Sequence, residues 1–99
     1  MIKGINATEE TIIKDILQPY KSDYEFYFYG SRVKGGFEKT SDLDVLVKGE
    51  YEMPIGILQD IKEQFDKSYL PYIVNFTDYH SAAKWFLDSI EKSLVLCEL

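Results

Sequence analysis

The first stretch of the chain has the spacing of an amphipathic helix. Asn6 or Thr8 is a suitable N-cap, and Glu9 and Glu10 would lie in the first turn, where acidic side chains favour a helix. Pro19 marks the end of the pattern. The apolar positions recur every three or four residues, at Ile12, Ile13, Ile16, Leu17 and Tyr20.

Residues 24–29 change to an alternating aromatic pattern, which is typical of a strand, and Gly30 ends it. Because successive side chains of a strand point to opposite faces, this strand would have two different surfaces. One face would carry Tyr24, Phe26 and Phe28, and the other Glu25, Tyr27 and Tyr29.

The remaining residues predict a turn, a strand, a helix, a strand and a last helix. Residues 31–36 form a short helical turn with Gly35 and Gly36 at its exit, and 43–47 form a strand that Gly49 breaks. Pro54 suits the first turn of the next helix. The inward positions of that helix are Ile55, Leu58, Ile61 and Phe65.

A third strand is predicted at 72–77, and Asp78 or Ser81 is the candidate cap of the last helix. The inward positions of this helix are Ala82, Ala83, Phe86, Leu87, Ile90 and Leu94. The element order predicts an α/β (α+β) fold, a small mixed β-sheet packed with helices. We expect one domain over residues 1–99, because a chain of this length supports a single core.

Composition narrows the class of protein. No apolar run approaches the ~20 residues of a membrane span, and no signal peptide is evident, so we expect a cytoplasmic protein. The single cysteine, Cys97, cannot form an internal disulfide and is interpreted as a small apolar residue. A net charge of −6 argues against broad nucleic-acid binding, so no direct nucleic-acid partner is expected.

Gly30 and Ser31 form the first candidate site, at the end of the first predicted strand. Glycine allows a sharp turn, and the N–H groups that begin the following helical turn can donate to an anion. The hydroxyl of Ser31 adds a donor, and Arg32 and Lys34 are candidate cationic contacts for a triphosphate. A Gly-Ser pair alone is also compatible with an ordinary turn.

Asp42 and Asp44 form the second candidate site, because residues two apart on a strand share a face. Their charges repel one another, and a magnesium ion that coordinates both would remove the repulsion. Two exposed carboxylates on a solvated strand face are the plainer interpretation. Ser41 either orients this pair or contacts phosphate, or is only a turn residue.

Together these residues resemble a known family. Gly30-Ser31, then residues 32–41, then Asp42-x-Asp44 is similar to the signature of minimal nucleotidyltransferases of the DNA polymerase β superfamily. The stretch 30–35, Gly-Ser-Arg-Val-Lys-Gly, is similar to that family's Gly-Ser-Arg-Ala-Arg-Gly, and chain length and element order agree.

The resemblance implies a nucleotidyltransferase fold and an enzyme that uses ATP with Mg²⁺. It implies that Asp42 and Asp44 are catalytic metal ligands and that Gly30, Ser31, Arg32 and Ser41 bind the nucleotide. Members of this family often act as antitoxins of a HEPN-domain ribonuclease toxin, and some transfer AMP to a tyrosine of that toxin. A HEPN-domain toxin is therefore the expected protein partner, in a hetero-oligomer.

One position departs from the family pattern. The family places a third carboxylate on a later strand, and here that position holds Asn75, which is neither a base nor negatively charged. Asp78 is three residues further on and would point to the opposite face. Two alternatives follow: catalysis continues with two carboxylates, or the domain binds nucleotide or its partner without turnover and neutralises a toxin by complex formation.

Five other residues are candidates for chemistry or for a contact surface. The only histidine, His80, is expected at the surface or in a cap, since nothing in the sequence places it near Asp42. Trp85 and Phe86 are expected in the core or in a patch that faces a partner. Tyr27 or Tyr29, beside Gly30, could border the nucleotide pocket.

Overall fold

The computed structural model describes residues 2–99, so Met1, which the predicted domain range includes, lies outside the described residues. Within the described residues the helices are α1 (Ala7–Leu17), α2 (Ser31–Lys34), α3 (Ile55–Asp66) and α4 (Lys84–Ile90). The strands in the same part of the chain are β1 (Tyr24–Tyr29), β2 (Leu43–Gly49), β3 (Val74–Asp78) and β4 (Val95–Leu96). Short 3₁₀ turns, Gln18–Tyr20 and Glu91–Ser93, follow α1 and α4.

The strands form one mixed sheet in the order β3-β2-β1-β4. β1 pairs antiparallel with β2 and with β4, whereas β2 and β3 are parallel and are connected through α3. The predicted mixed sheet with helices is therefore confirmed. β4 was not predicted, because two residues carry too little of an alternating pattern to stand out from the helical spacing around them.

The two faces of the sheet pack against different helices, and the predicted division of β1 into two faces is confirmed. Phe26 and Phe28 lie in the larger core with α1 and α3, whose buried residues there include Ile13 and Ile61. The opposite face carries a smaller cluster beneath α4: Tyr29, Leu46 and Ile90, with Tyr27, Phe86, Leu87 and Leu94 packed against it.

The N-terminus of α1 confirms Asn6 as its cap. The Asn6 side chain accepts from the Glu9 N–H at 2.8 Å, and the Glu9 carboxylate accepts from the Asn6 N–H at 3.2 Å, which is a complete capping box. The predicted cap of α4 is wrong. Its N-cap residue is Ala83, which is exposed and makes no side-chain hydrogen bond, so neither Asp78 nor Ser81 caps this helix.

Asp78 instead closes the turn that follows β3. Its carboxylate accepts from the N–H groups of His80 and Met53, both at 2.9 Å, and it is buried on the face opposite to Asn75. Trp85 is 74% exposed and does not belong to the core. Among residues 2–99, none of the helices is long and apolar enough to cross a membrane.

Candidate active site

The turn after β1 brings the backbone of Gly30 against the carboxylate of Asp44. Gly30 has φ +86°, in the region that favours glycine, and a Cβ placed there would lie 3.3 Å from Asp44 Cγ and closer still to Oδ2. The register of β1 and β2, which pairs Tyr29 with Asp44, produces this approach. The first predicted site therefore meets the second at the same end of the sheet.

The helical turn α2 begins directly at Ser31. The hydrogen bonds that close it come from the N–H groups of Val33 and Lys34, which both donate to the Gly30 carbonyl, and from Gly35, which donates to Ser31. The N–H groups of Ser31 and Arg32 are not part of these bonds. Ser31 and Lys34 are exposed, so a ligand at the Gly30 turn can reach both side chains.

Asp42, Asp44 and Asn75 lie side by side on the face that Gly30 borders. Asp44 and Asn75 are neighbours in the parallel pairing of β2 with β3, and Asp42 comes two residues before Asp44. The Asn75 Nδ2 donates to Asp42 Oδ2 at 2.9 Å and to Asp44 Oδ1 at 3.4 Å. The two carboxylates therefore share one small donor on this face.

The two carboxylates differ in their surroundings. Asp42 is exposed, whereas Asp44 is partly buried between Gly30 and Asn75. Burial raises the pKa of Asp44 above its usual range, and the negative charge of Asp42 acts in the same direction, while the hydrogen bond from Asn75 opposes the shift. A positive charge at this place would act in the opposite direction and lower the pKa of Asp44.

Arg32 occupies a different place from the one predicted for a nucleotide contact. Its side chain is 3% exposed and lies 3.7 Å from the ring centroid of Tyr72. The guanidinium donates to the carbonyls of Gly4 (2.6 Å), Ser41 (2.8 Å), Lys39 (2.9 Å) and, more weakly, Glu38 (3.3 Å). A group held in this way has no open side for a triphosphate, so the structure argues against the predicted contact.

The position of Arg32 has a consequence for Asp42. Arg32 follows Ser31, and its guanidinium holds the 38–41 loop that leads into Asp42. One buried side chain therefore ties the glycine turn to the loop that precedes the carboxylates. Sequence reasoning missed this role, although five donors in a rigid fork make arginine the side chain best suited to several carbonyls at once.

Ser41 serves the same loop. Its hydroxyl accepts from the N–H of Glu38 at 2.8 Å, and its own N–H donates to the Glu38 carbonyl at 3.1 Å. These bonds fit the turn role that the sequence left open. The proposed phosphate contact of Ser41 remains a prediction.

Of the other candidates, Tyr29 lies beside the site and His80 lies away from it. Tyr29 is the partner of Asp44 in the pairing of β1 with β2 and is buried, with its hydroxyl 3.1 Å from Thr77 Oγ1. His80 is exposed and its Nε2 lies 2.8 Å from the carbonyl of Gly49, at the other end of β2. Cys97 is buried, as expected, and burial raises the pKa of its thiol to about 11.

A groove of about 410 Å³ adjoins Asp42 on the β3 side of the sheet. Its wall is formed by the end of α3 and the segment before β3, and Thr40 and Asp66 add polar groups. The lining is completed by Phe65, Leu70, Pro71, Tyr72, Ile73 and Val74. The groove and the Gly30 turn thus lie on different sides of the carboxylate pair.

The donor set fits a divalent cation of the magnesium type. Among residues 2–99 no group of three or more His, Cys, Asp or Glu side chains could hold a metal ion, so the candidate ligands are two carboxylates and the Asn75 amide oxygen. Mg²⁺ prefers oxygen ligands, often uses one or two carboxylates, and takes its other ligands from water and substrate phosphates. Two carboxylates with an amide beside them agree with that preference.

Sequence comparison identifies the family. Residues 9–96 match the nucleotidyltransferase domain family. The chain belongs to this family. It is also 35% identical, over 94 residues, to the probable protein adenylyltransferase MntA of Haemophilus influenzae, a match that covers 95% of this chain and 82% of that protein. The predicted membership of the nucleotidyltransferases is therefore confirmed.

Solved structures agree with the fold. A toxin–antitoxin complex crystallised with AMP-PNP contains a chain that matches this nucleotidyltransferase domain with a TM-score of 0.73 and 19% identity, over 90% of this chain and 72% of that one. The MntA-HpeT toxin–antitoxin complex, in a mutant with two aspartates two positions apart changed to glutamate, matches with a TM-score of 0.73 and 17% identity over the same shares. At these identities the similarity establishes the nucleotidyltransferase fold.

Proposed function

We propose that this nucleotidyltransferase uses ATP and Mg²⁺ to transfer AMP to a hydroxyl group of a protein partner, as the antitoxin of a toxin–antitoxin pair in which a HEPN-domain toxin is the acceptor. The observation that carries the proposal is the convergence of the Gly30 turn with Asp42 and Asp44 on one face of the sheet. A turn that offers N–H donors beside two carboxylates provides for both parts of a metal–triphosphate ligand.

Each residue has a defined part in this reaction. Gly30 lets the triphosphate approach the backbone, and the Ser31 N–H and hydroxyl donate to its oxygens. Asp42 and Asp44 would hold the divalent cation, which neutralises charge on the phosphates when it is bound. Lys34, one turn further and exposed, adds a cation near the same phosphates.

The bond changes are those of adenylyl transfer. The acceptor hydroxyl oxygen forms a bond to the α-phosphorus, and the bond from that phosphorus to the oxygen of the β-phosphate breaks. Pyrophosphate leaves, and the hydroxyl proton passes to solvent or to a basic group of the partner. The site's contribution is mainly positioning and charge neutralisation, which account for most of the catalysis in phosphoryl transfer.

The relatives support this choice of substrate and partner. The similar protein of H. influenzae is described as a probable protein adenylyltransferase, and the similar complexes are toxin–antitoxin pairs, one crystallised with AMP-PNP. Asp42 and Asp44 share the two-residue spacing of the aspartates changed to glutamate in the MntA-HpeT mutant. A negative net charge of −6 also disfavours a nucleic-acid acceptor.

The alternative is an antitoxin that binds nucleotide or its partner without turnover and neutralises the toxin by complex formation. Asn75 favours it, because an amide in the position of a third carboxylate supplies neither a base nor a negative charge. The two functions make opposite predictions about a covalent product.

The test is a transfer assay with the co-expressed toxin partner. We expect label from [α-³²P]ATP, but not from [γ-³²P]ATP, to remain on the denatured partner when Mg²⁺ is present, and intact-mass spectrometry to show an AMP-sized gain. Asp42→Asn with Asp44→Asn is expected to abolish the label while the circular-dichroism spectrum stays unchanged. A partner that is inhibited yet carries no label would establish the non-catalytic alternative.

A further inference from the structure

Asn75 donates hydrogen bonds to both carboxylates of the candidate cation site, Asp42 and Asp44. The two carboxylates accept from the same amide on one face of the sheet, and among residues 2–99 neither forms a salt bridge with a cationic side chain. Two like charges held together cost free energy unless a donor or a cation compensates them. The Asn75 amide is that donor.

The orientation of the amide follows from its neighbours. A carboxamide has two N–H donors on one side and one carbonyl oxygen on the other, and only the donor side is attracted to two carboxylates. The shorter bond, 2.9 Å, goes to exposed Asp42, and the longer and weaker one, 3.4 Å, to Asp44. Asp44 thus has one oxygen toward Asn75 and the other toward Gly30.

We propose that Asn75 is a positioning residue that takes the place of the divalent cation in the cation-free protein, keeping Asp42 and Asp44 together and lowering their affinity for a cation without nucleotide. The proposal rests on the carboxylates being the cation site of the proposed function. A cation that coordinates both carboxylates competes with the Nδ2 donor, which must turn away or turn its oxygen inward. Cation binding is therefore weak alone and is favoured when nucleotide phosphates supply further oxygens.

A carboxylate at position 75 would behave differently. It would add a third negative charge and remove the compensating donor, so the cation-free site would be less stable and the cation would bind more tightly. An apolar residue at position 75 would remove the donor without adding charge. The stability and the cation affinity of such a variant should therefore lie between those of the wild type and those of the carboxylate variant. These differences define the experiment.

Thermal unfolding of the whole chain is measured for wild type, Asn75→Ala and Asn75→Asp, in EDTA and in saturating MnCl₂ without nucleotide. In EDTA we expect the Tm of Asn75→Ala to fall by about 4 °C or more, and that of Asn75→Asp to fall further. With Mn²⁺ the deficit of both variants should shrink by at least half, since the cation now holds the carboxylates. Calorimetric titration should give a Kd for Mn²⁺ about tenfold or more tighter in Asn75→Asp.

Thr77→Val is the matched control, because Thr77 lies two residues along the same face of β3 and contacts Tyr29 rather than a carboxylate. Its Tm deficit should be the same in EDTA and in Mn²⁺. A purely structural role of Asn75 would give that same constant deficit, and an unchanged Mn²⁺ affinity in Asn75→Asp would also overturn the proposal.

A double-mutant cycle gives a second readout in EDTA. If Asn75 acts through the carboxylates, Asn75→Ala should lose most of its effect in an Asp42→Asn, Asp44→Asn background, and equal effects in both backgrounds would contradict the proposal. The same double variant separates the two hypotheses. If Mn²⁺ still raises the Tm of the Asp42→Asn, Asp44→Asn variant as it does that of wild type, the cation site of the proposed function is refuted. If the Tm increase requires the two carboxylates but is the same with and without Asn75, only the role of Asn75 is refuted.

Discussion

The Cα of Gly30 faces the carboxylate of Asp44 across the β1–β2 pair, and no side chain fits between them. This approach joins the two halves of the candidate site, since it places the turn that begins α2 directly beside a candidate cation ligand. A side chain at position 30 would meet the Asp44 carboxylate and would also be strained at φ +86°.

Gly30→Ala is therefore expected to lose both stability and nucleotide binding. The backbone strain alone costs about 1–3 kcal/mol of the free energy of unfolding, and displacement of Asp44 should weaken ATP binding in the presence of Mg²⁺ at least tenfold. Gly36→Ala is the matched control, because Gly36 has φ +77° and open space around it. Urea unfolding and calorimetric titration should show strain in both variants but weaker ATP binding only in Gly30→Ala.

The residues of this site divide into those that the sequence could predict and those that it could not. The spacing of Asp42 and Asp44 predicts a shared face because strand geometry is local, and the pairing of Asn75 with them confirms it. The contact of Gly30 with Asp44 depends on register, which local patterns do not fix. The glycine before the helical turn indicated that the chain turns at Gly30, but it did not indicate that Asp44 lies against this turn.

Arg32 shows why side-chain roles are harder to predict than elements. Its basic charge beside Ser31 suggested a phosphate contact, yet its guanidinium is buried among the backbone carbonyls of Gly4 and of the 38–41 loop. Gly4, 28 residues away, accepts one of these bonds, and the pattern around Arg32 contains no trace of that contact. The carbonyls that Arg32 satisfies are backbone groups, which carry no residue-specific signal in the sequence.

Arg32→Ala should destabilise the domain far more than Lys34→Ala. Loss of the guanidinium leaves the carbonyls of Gly4, Lys39 and Ser41 without their donor and opens space against Tyr72, so we expect the free energy of unfolding to fall by about 3 kcal/mol or more. Arg32→Lys keeps the charge but not the fork and should recover only part of the loss. Urea unfolding with far-UV circular dichroism measures each value.

Lys34→Ala is the control, because Lys34 is exposed on the same helical turn. Its free energy of unfolding should stay within about 0.5 kcal/mol of wild type, while ATP binding weakens as a phosphate contact is lost. Equal stability of Arg32→Ala and Lys34→Ala would contradict the structural role that the geometry gives Arg32.

Asp44 should make the domain less stable as pH rises through the acidic range when no cation is present. Its pKa is raised above 3.8, chiefly by burial and further by the charge of Asp42, so the folded state holds this proton more tightly than the unfolded state. Stability from this group is thus fully present below pH 3.8 and is lost as pH rises through the folded pKa. Asp44→Asn removes the titration, so its stability relative to wild type should be greater at pH 7 than at pH 3.5 in EDTA.

Equilibrium urea unfolding at the two pH values measures this difference. Asp60→Asn is the control, because Asp60 is an exposed residue of α3. Excess Mg²⁺ with ATP should reverse the order at pH 7, since only the wild-type carboxylate binds the cation strongly. A stability difference that does not depend on pH would show that the burial of Asp44 has no energetic consequence for its ionisation.

Asp78 is expected to matter for stability and not for cation binding, in contrast to Asp42 and Asp44. Its side chain is 8% exposed and accepts the N–H groups of Met53 and His80, so Asp78→Ala leaves the buried Met53 N–H without an acceptor. We expect a loss of about 2 kcal/mol in the free energy of unfolding, with Asp78→Asn intermediate because its amide keeps one acceptor oxygen.

Asp88→Ala, which breaks only the exposed ion pair with Lys84, should change stability by less than about 0.5 kcal/mol. Urea unfolding compares the three variants, and a Mn²⁺ titration of Asp78→Asn should match wild type. Weakened Mn²⁺ binding there would mean that the carboxylate on the opposite face of β3 reaches the site after all.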